Sequence, residues 1–255
     1  MQELKIVIAA SVCNCVDYID KLVSNITIIS SLFSECSVIL IESDSSDGSP
    51  KVLSKKLTNS GIENIVNSLG ELRSKIFHRT GRISYARNTY LDIIEHRFND
   101  WDYVLVMDFN DSNIDQIDPA NILSNFKTHN WDMVCANQRM GYYDLWALRH
   151  PKLMPHDCWK MARNFDGDGR LEYVYSKFFI LPEDMPWVKV DSAFGGAAFI
   201  KISSIQGARH DSINSDGEEE CEWVSFCKKL NGGNPNIFIN PKFYNQITTK
   251  SRHIP

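Results

Sequence analysis

The nine residues Tyr103-Val104-Leu105-Val106-Met107-Asp108-Phe109-Asn110-Asp111 constrain the fold more than any other stretch. A short apolar run stops abruptly in acidic and amide side chains. The run reads as a buried strand. At the carboxyl end of a strand in an open α/β sheet, polar residues face the ligand crevice. Asp108 and Asn110 alternate, so extended backbone would point both side chains the same way. Two oxygen donors at that spacing suit a hard divalent cation that shares phosphate oxygens with a substrate. The plainer reading is that Asp108 caps the following turn.

The rest of the first half supports the strand. Leu4 to Ala10, Val38 to Ile41, Ile62 to Val66 and Met133 to Ala136 read as further strands. Between them, Asp17 to Phe33 and Tyr85 to Phe98 carry helical patterning. Ser49 as N-cap and Pro50 at the first helical position open another helix, closed near Ser60 by Gly61. Strands alternating with helices predict an α/β fold with a mostly parallel central sheet and helices on both faces. Residues 138–187 are rich in aromatics, Pro, Asp and Arg and lack clean periodicity, which is more often functional than idle in a compact domain. Trp187 to Asp191, Ala197 to Ile202 and Ile237 to Ile239 read as strands. Glu218 to Leu230 reads as a helix, with acids in its first turn and lysines in its last. The expected layout is one domain over 1–255, with a nucleotide-binding half at 1–137 and an irregular acceptor-side half at 138–255.

A chain of 255 residues can bury a substantial core, and its formal charge of -5 gives no bulk attraction to nucleic acid. The seven cysteines are scattered and odd in number, which argues against a disulfide framework and for free thiols in a reducing compartment. No apolar run approaches the roughly 20 residues of a membrane span. The expectation is a cytoplasmic protein without a transmembrane segment, with peripheral membrane association left open.

Three further segments carry chemistry. Ile41-Glu42-Ser43-Asp44-Ser45-Ser46-Asp47-Gly48-Ser49 places acids and hydroxyls between a strand end and a helix start, a ligand-binding arrangement that is also an ordinary αβ turn. Ser84-Tyr85-Ala86-Arg87-Asn88 offers an Arg whose fork matches phosphate oxygens, or a plain surface Arg. Tyr142-Tyr143-Asp144-Leu145-Trp146-Ala147-Leu148-Arg149 sets rings beside a carboxylate. That combination suits a sugar: rings stack on its C–H face while the acid accepts from hydroxyls. Basic residues gather at Arg73, Lys75, Arg79, Arg82 and Arg87, as a solvated face or a phosphate-facing loop. Asn164-Phe165-Asp166-Gly167-Asp168-Gly169 begins like a calcium loop, but Tyr175 occupies the position of its bidentate acid, so a polar turn is expected.

Together these segments resemble the GT-A glycosyltransferases. Asp108-Phe109-Asn110 is similar to their Asp-x-Asp motif, the 41–49 loop to their Asp-Asp-Gly-Ser segment, and Ala86-Arg87-Asn88 to an element common at this place. Tyr143 to Arg149 resembles the Tyr-Asp-x-Trp-Ala-x-Arg signature of fungal capsule-associated α-1,3-mannosyltransferases and related bacterial and viral proteins. The likeness spans about residues 4–245. It implies a single GT-A, Rossmann-like domain that moves a sugar from a nucleotide-diphosphate donor to a glycan or other hydroxyl acceptor with Mn²⁺ or Mg²⁺. Ala10, Ser11, Glu42, Asp47, Arg87 and Asp108 would hold the nucleotide, and Asp108 and Asn110 the metal. Tyr143, Asp144, Trp146, Gly195 and Gly196 would border the sugar. An inverting reaction needs a base, for which Glu222, Glu220 and Asp191 are candidates in that order; a retaining one does not. Related sequences often carry His where Trp223 stands. A nucleotidyltransferase of similar sheet lacks support, because Ala9-Ala10-Ser11-Val12-Cys13 is no Gly-rich phosphate loop. A non-catalytic sugar-nucleotide or glycan binder stays open, because Asn110 replaces an acid.

Overall fold

The computed structural model describes residues 3–128, 130–139 and 141–245. Eight strands form one sheet: β1 (Lys5–Val12), β2 (Glu35–Glu42), β3 (Glu63–Ser68), β4 (Tyr103–Met107), β5 (Met133–Gln138), β6 (Val188–Val190), β7 (Ala197–Lys201) and β8 (Ile237–Asn245). Their order is β3-β2-β1-β4-β7-β5-β8-β6. Strands β3, β2, β1 and β4 run parallel, as do β5 and β8. Strand β7 lies antiparallel between β4 and β5, and β6 lies antiparallel on β8. The mostly parallel α/β sheet is therefore present.

The helices are α1 (Ile19–Ser30), α2 (Ser49–Ser60), α3 (Arg79–Arg97), α4 (Pro119–Leu123), α5 (Cys158–Arg163), α6 (Gly169–Tyr173) and α7 (Glu222–Lys229). Alternation along β1 sends Ile6, Ile8 and Ala10 to one face and Val7 and Ala9 to the other. Leu22, Ile26 and Ile29 of α1 and Leu53 and Leu57 of α2 cover the first face. Ala86, Tyr90, Leu91 and Ile94 of α3 cover the second, with Val224 and Phe226 of α7. Each of the Leu, Ile, Val and Phe side chains among them contributes about 1.5–3 kcal/mol by leaving water.

Several boundaries differ from expectation for local reasons. Helix α3 starts at Arg79, six residues before Tyr85. Gly81 weakens the helical signal there, yet a side chain at 81 would meet Ile76 Cγ2 at 2.8 Å. The N-cap of α2 is Gly48, at φ 82°, not Ser49. The Ser49 hydroxyl instead accepts from the Cys15 amide at 2.8 Å and donates to Asp47 at 2.6 Å, tying the β1–α1 and β2–α2 loops together. Helix α7 begins at Glu222, and residues 218–221 form its extended approach, where Glu219 bridges to Ile213. Strand β8 runs on to Asn245 through Pro241, with a register shift opposite Cys135 to Asn137. All seven cysteines are free. Among the described residues no helix is long and apolar enough to cross a membrane.

Candidate active site

Strand order fixes where a ligand can sit. Connections from β1 run outward through β2 to β3, then return across the sheet to β4. The carboxyl ends of β1 and β4 therefore flank a topological switch point. Ala9 pairs with Val106 and Val12 with Glu42, so Asp108 and Glu42 reach the same edge with β1 between them. Antiparallel β7 starts at this edge, and the Asp108 amide donates to the Gly196 carbonyl at 2.9 Å. Strand β5 ends there too, which delivers Tyr143, Asp144 and Trp146 to the same place. The result is a cavity of about 700 Å³.

The loop after β4 is rigidly built. Asn113 donates to the carbonyls of Asp108 and Gly196, each at 2.9 Å. Asn25, buried in α1, donates to the carbonyls of Asn113 and Asp115 and accepts from the Ile117 amide. Asn25 begins a glycosylation-like triplet, but its amide is committed to holding this loop. Gly195 and Gly196 are required by shape: both have positive φ, and a side chain at 195 would meet the Ala136 carbonyl oxygen at 2.3 Å. They brace the cavity from behind, outside its lining.

Four ionisable groups, Arg87, Glu222, Asp108 and Asp144, line the buried end. Arg87 is 4 % exposed and donates to Glu222 Oε1 at 2.6 Å. Its other terminal nitrogen lies 3.5 Å from Asp108. Its guanidinium also sits over the rings of Trp223 and Phe194, at 4.5 and 5.0 Å from their centroids. Those two rings stack on each other at 4.2 Å. Burial opposes the charge on Arg87, but Glu222, Tyr90 and Asp108 outweigh it, and its pKa is raised. Burial pushes the Asp108 carboxyl up, while Arg87 and then Arg79 pull it back. The Asp144 carboxyl is pushed up to about 6, first by burial, held down by the Gly195 amide and pushed further by Asp108 and Glu222. That amide donates to Asp144 Oδ2 at 3.0 Å. Behind the group, buried His210 stacks on Phe226 at 4.3 Å, and desolvation drives its pKa far below the ordinary value. A neutral ring is what a neighbour of Arg87 must be.

The other sequence candidates are distributed unevenly. Ser11, Arg87, Asp108, Asn110, Tyr143, Asp144, Trp146 and Glu222 line the one cavity. Ala10 is buried in β1 behind it. Glu42 is also buried, accepting from the Ser45 amide at 2.9 Å and the Ser68 hydroxyl at 2.5 Å, and it faces a smaller neighbouring hollow. Asp47 accepts from Val16, from the Ser49 amide and from the Ser49 hydroxyl, so it holds the loops together. Trp146 donates its indole N–H to Asp157 at 2.9 Å, and Arg149 binds the same carboxylate at 3.1 Å. Glu220 faces Arg149 at 3.7 Å, outside the cavity lining. Asp191 is exposed and also outside it.

Further residues line or support the cavity beyond the assigned site set. Asp44 lines the cavity where Glu42 was expected, because its positive φ of 62° turns the chain. Partial desolvation resists its ionisation, but the amides of Arg73 and Leu72 prevail and hold its carboxyl below the usual range. Arg79 and Arg82 enter from α3. Trp159, Arg163, Tyr175 and Phe178 enter from the segment that lacked periodicity. Phe194 and Trp223 form the stacked aromatic pair that Arg87 lies against. Of these, Arg79 and Arg82 belong to the basic run, Asp44 to the 41–49 loop and Trp223 to a position singled out in the sequence, whereas Trp159, Arg163, Tyr175 and Phe178 gave no individual signal.

The metal expectation meets a specific obstacle. Asn110 Oδ1 accepts from the Ser112 amide at 2.9 Å and the Ser112 hydroxyl at 2.5 Å, as the cap of a single 3₁₀ turn. Both lone pairs are used. Among the described residues, no three His, Cys, Asp or Glu side chains gather as a metal site. Asp108 remains as one carboxylate donor. That set fits a cation completed by substrate phosphate and water, not a cage made by protein alone.

The family described as Cryptococcal mannosyltransferase 1 matches residues 5–228. No curated protein sequence matches the chain. The mannosyltransferase PcManGT from Pyrobaculum calidifontis, in complex with GDP-Man and Mn²⁺, superposes with a TM-score of 0.58 at 13 % identity, over 98 % of this chain and 59 % of that one. TarS 1-349 of S. aureus gives a TM-score of 0.54 at 13 % identity, over 96 % and 60 %. Glucosyl-3-phosphoglycerate synthase from Mycobacterium tuberculosis, in complex with phosphoglyceric acid, gives 0.50 at 13 % identity, over 96 % and 71 %. The chain thus spans about three fifths of the first two structures, and at such identity they speak for the fold alone. With the family match covering most of its length, the chain belongs to the Cryptococcal mannosyltransferase 1 family and has the GT-A glycosyltransferase fold.

Proposed function

We propose that the protein is a glycosyltransferase that moves a sugar, a hexose in the simplest reading, from a nucleoside-diphosphate donor to a hydroxyl acceptor in glycan synthesis. One observation carries this reading. Asp108, Arg87, Asp144 and Glu222, which lie far apart in sequence, line a single cavity at the switch point between β1 and β4. A fold core alone gives no reason to gather three carboxylates around one arginine.

In this reading the nucleoside lies over the carboxyl ends of β1 and β2, between Ser11 and Asp44. Glu42 and Asp47 shape that end from behind. The diphosphate lies beside Asp108. A Mn²⁺ or Mg²⁺ ion held there by Asp108 would offset charge on the departing diphosphate. Asp144 accepts from sugar hydroxyls while Tyr143 and Trp146 wall the sugar. The acceptor oxygen bonds to the anomeric carbon as the bond to the diphosphate breaks. Of the three base candidates, Glu222 is the one in the cavity, and it takes the acceptor proton if the anomeric centre inverts. In a retaining transfer the departing diphosphate takes it.

The test is incubation with a panel of sugar nucleotides and Mn²⁺, reading nucleoside diphosphate released and the anomeric configuration of the product. One donor turned over, and its loss in Asp108→Ala, is the expected outcome. A second reading, a binder without catalysis, draws on the committed oxygen of Asn110. It predicts tight donor binding with no release in any combination.

A further inference from the structure

The donor's diphosphate needs more positive charge than the buried end of the cavity can offer. Arg87 is bonded to Glu222, faces Asp108 and lies against the stacked rings of Trp223 and Phe194. Arg82 donates to the carbonyls of Ile76 and Phe77 at 2.9 and 2.8 Å, and lies 3.9 Å from Asp44. Arg73 stands beside Cys13, toward the nucleoside end. Asn110 has no lone pair left for a cation. Two arginines in the same cavity wall are different. Among the described residues, neither Arg79 nor Arg163 forms an ion pair within 4 Å or a side-chain hydrogen bond, and both are exposed, with the charge of Arg163 also felt at Glu218.

Both guanidinium-bearing side chains line the one cavity that Asp108 lines. Arg79 opens the 19-residue helix α3, whose first turn holds no acid, so the helix's partial positive charge adds to its own. Its charge is felt at Asp108, where the diphosphate belongs in the reading above. Arg163 comes from α5, one turn after Trp159, which lines the same cavity. A guanidinium presents paired donors that match phosphate oxygens, and a free one loses no existing partner on binding.

We propose that Arg79 and Arg163 together form the diphosphate clamp, so that a divalent cation is dispensable for holding the nucleotide. This rests on the donor-site reading above and reassigns the phosphate contact that the sequence suggested for Arg87. Calorimetry with GDP and UDP tests it, in EDTA and in Mn²⁺, on the wild-type chain, Arg79→Met, Arg163→Met and the double variant. The wild type should bind one nucleotide in EDTA within about threefold of its affinity in Mn²⁺, and each single variant should lose about tenfold in EDTA. The double variant should lose about a hundredfold and show a flatter salt dependence, with an unchanged unfolding temperature. Binding that requires Mn²⁺ and ignores both arginines would overturn the clamp while leaving the donor site in place. Failure of the wild type to bind either nucleotide in either buffer would overturn the clamp and the donor-site reading together.

Discussion

The buried and exposed ends of the cavity solve opposite problems. At the buried end, Arg87, Glu222 and Asp108 neutralise one another, and ring faces fill the space that water would take. At the exposed end, Arg79 and Arg163 make no close ion pair or side-chain hydrogen bond among the described residues, and act on Asp108 and Glu218 only through space. A buried charge that loses its partner is costly, whereas an exposed one is solvated and inexpensive to leave alone. The difference teaches where to look for each effect: substitutions at the buried end should register in stability, and those at the exposed end in affinity.

The sharpest attack on that contrast is Arg87→Met. It leaves Glu222, with a side chain 7 % exposed, facing no cation. Breaking such a pair from one side costs about 3–5 kcal/mol. Chemical denaturation should show a loss of this size, and transfer should vanish with it. An unchanged midpoint would mean that the buried knot is not a unit and that the contrast is wrong. Asp108→Ala should behave differently although it touches the same arginine. Its side chain is 30 % exposed, so the fold survives. Transfer should fall on the order of a hundredfold or more, because charge at the departing diphosphate loses its anchor. Full activity that persists in EDTA would remove Asp108 from the chemistry.

Asp144, beside Asp108 and Glu222 at the buried end, gives a pH signature. Its folded pKa of about 6 exceeds the unfolded value, near 3.9, so the native state binds the extra proton between these limits. The stability this contributes is complete below the unfolded pKa and lost as pH rises through 6. Asp144→Asn keeps an oxygen for the Gly195 amide and removes the cost of the buried charge. The variant should be more stable than the parent at pH 8, by on the order of 2 kcal/mol, and equal to it near pH 4. Transfer should still drop, while affinity for the bare nucleoside diphosphate stays nearly normal. Thermal melts across that range, with calorimetry alongside, decide it. Equal stabilities at every pH would mean that Asp144 is better solvated than its place implies.

The same contrast explains what the sequence could disclose. Strands β1, β2 and β4 are continuous apolar runs buried on both faces, and such runs leave a plain mark. Their polar ends follow, so Asp108 was visible as a strand's last word. Arg87, Asp144 and Glu222 sit in short motifs whose chemistry has no use in a core. Arg163, Trp159 and Tyr175 left no mark, because α5 and α6 span six and five residues and bury only part of one side. Asp44 was hidden among ordinary turn formers; its selection over Glu42 depends on one positive φ. The double duty of Asn110 was invisible for a similar reason. An amide two residues before Ser112 looks alike whether it caps a turn or faces a cation.

The smallest expected effects separate the three carboxylates that sequence alone ranked as bases. Asp191 is exposed, its amide serves the Arg149 carbonyl at 2.9 Å, and its side chain is outside the cavity. Glu220 shares Arg149 with Asp157 and reaches toward Lys228 at 3.9 Å, also outside. Proton transfer needs heavy atoms within about 3 Å or one bridging water. An acceptor hydroxyl in the cavity satisfies that for Glu222 and for neither of the others. Asp191→Asn should therefore change the transfer rate by less than about twofold, with stability within about 0.5 kcal/mol. Glu220→Gln should cost at most about 1 kcal/mol of stability through its weakened ion pairs, again with near-normal transfer. Glu222→Gln keeps a hydrogen-bond acceptor for Arg87 and leaves it Asp108 at 3.5 Å, so its stability loss should be smaller than that of Arg87→Met, and in an inverting enzyme it should lose more than about tenfold in rate. Initial rates of the three variants under one saturating donor are the measurement. A dead Asp191→Asn that still folds and binds nucleotide would show that the chemistry extends beyond the cavity that Arg87, Asp108 and Glu222 line, and the division into a buried and an exposed end would no longer bound the site.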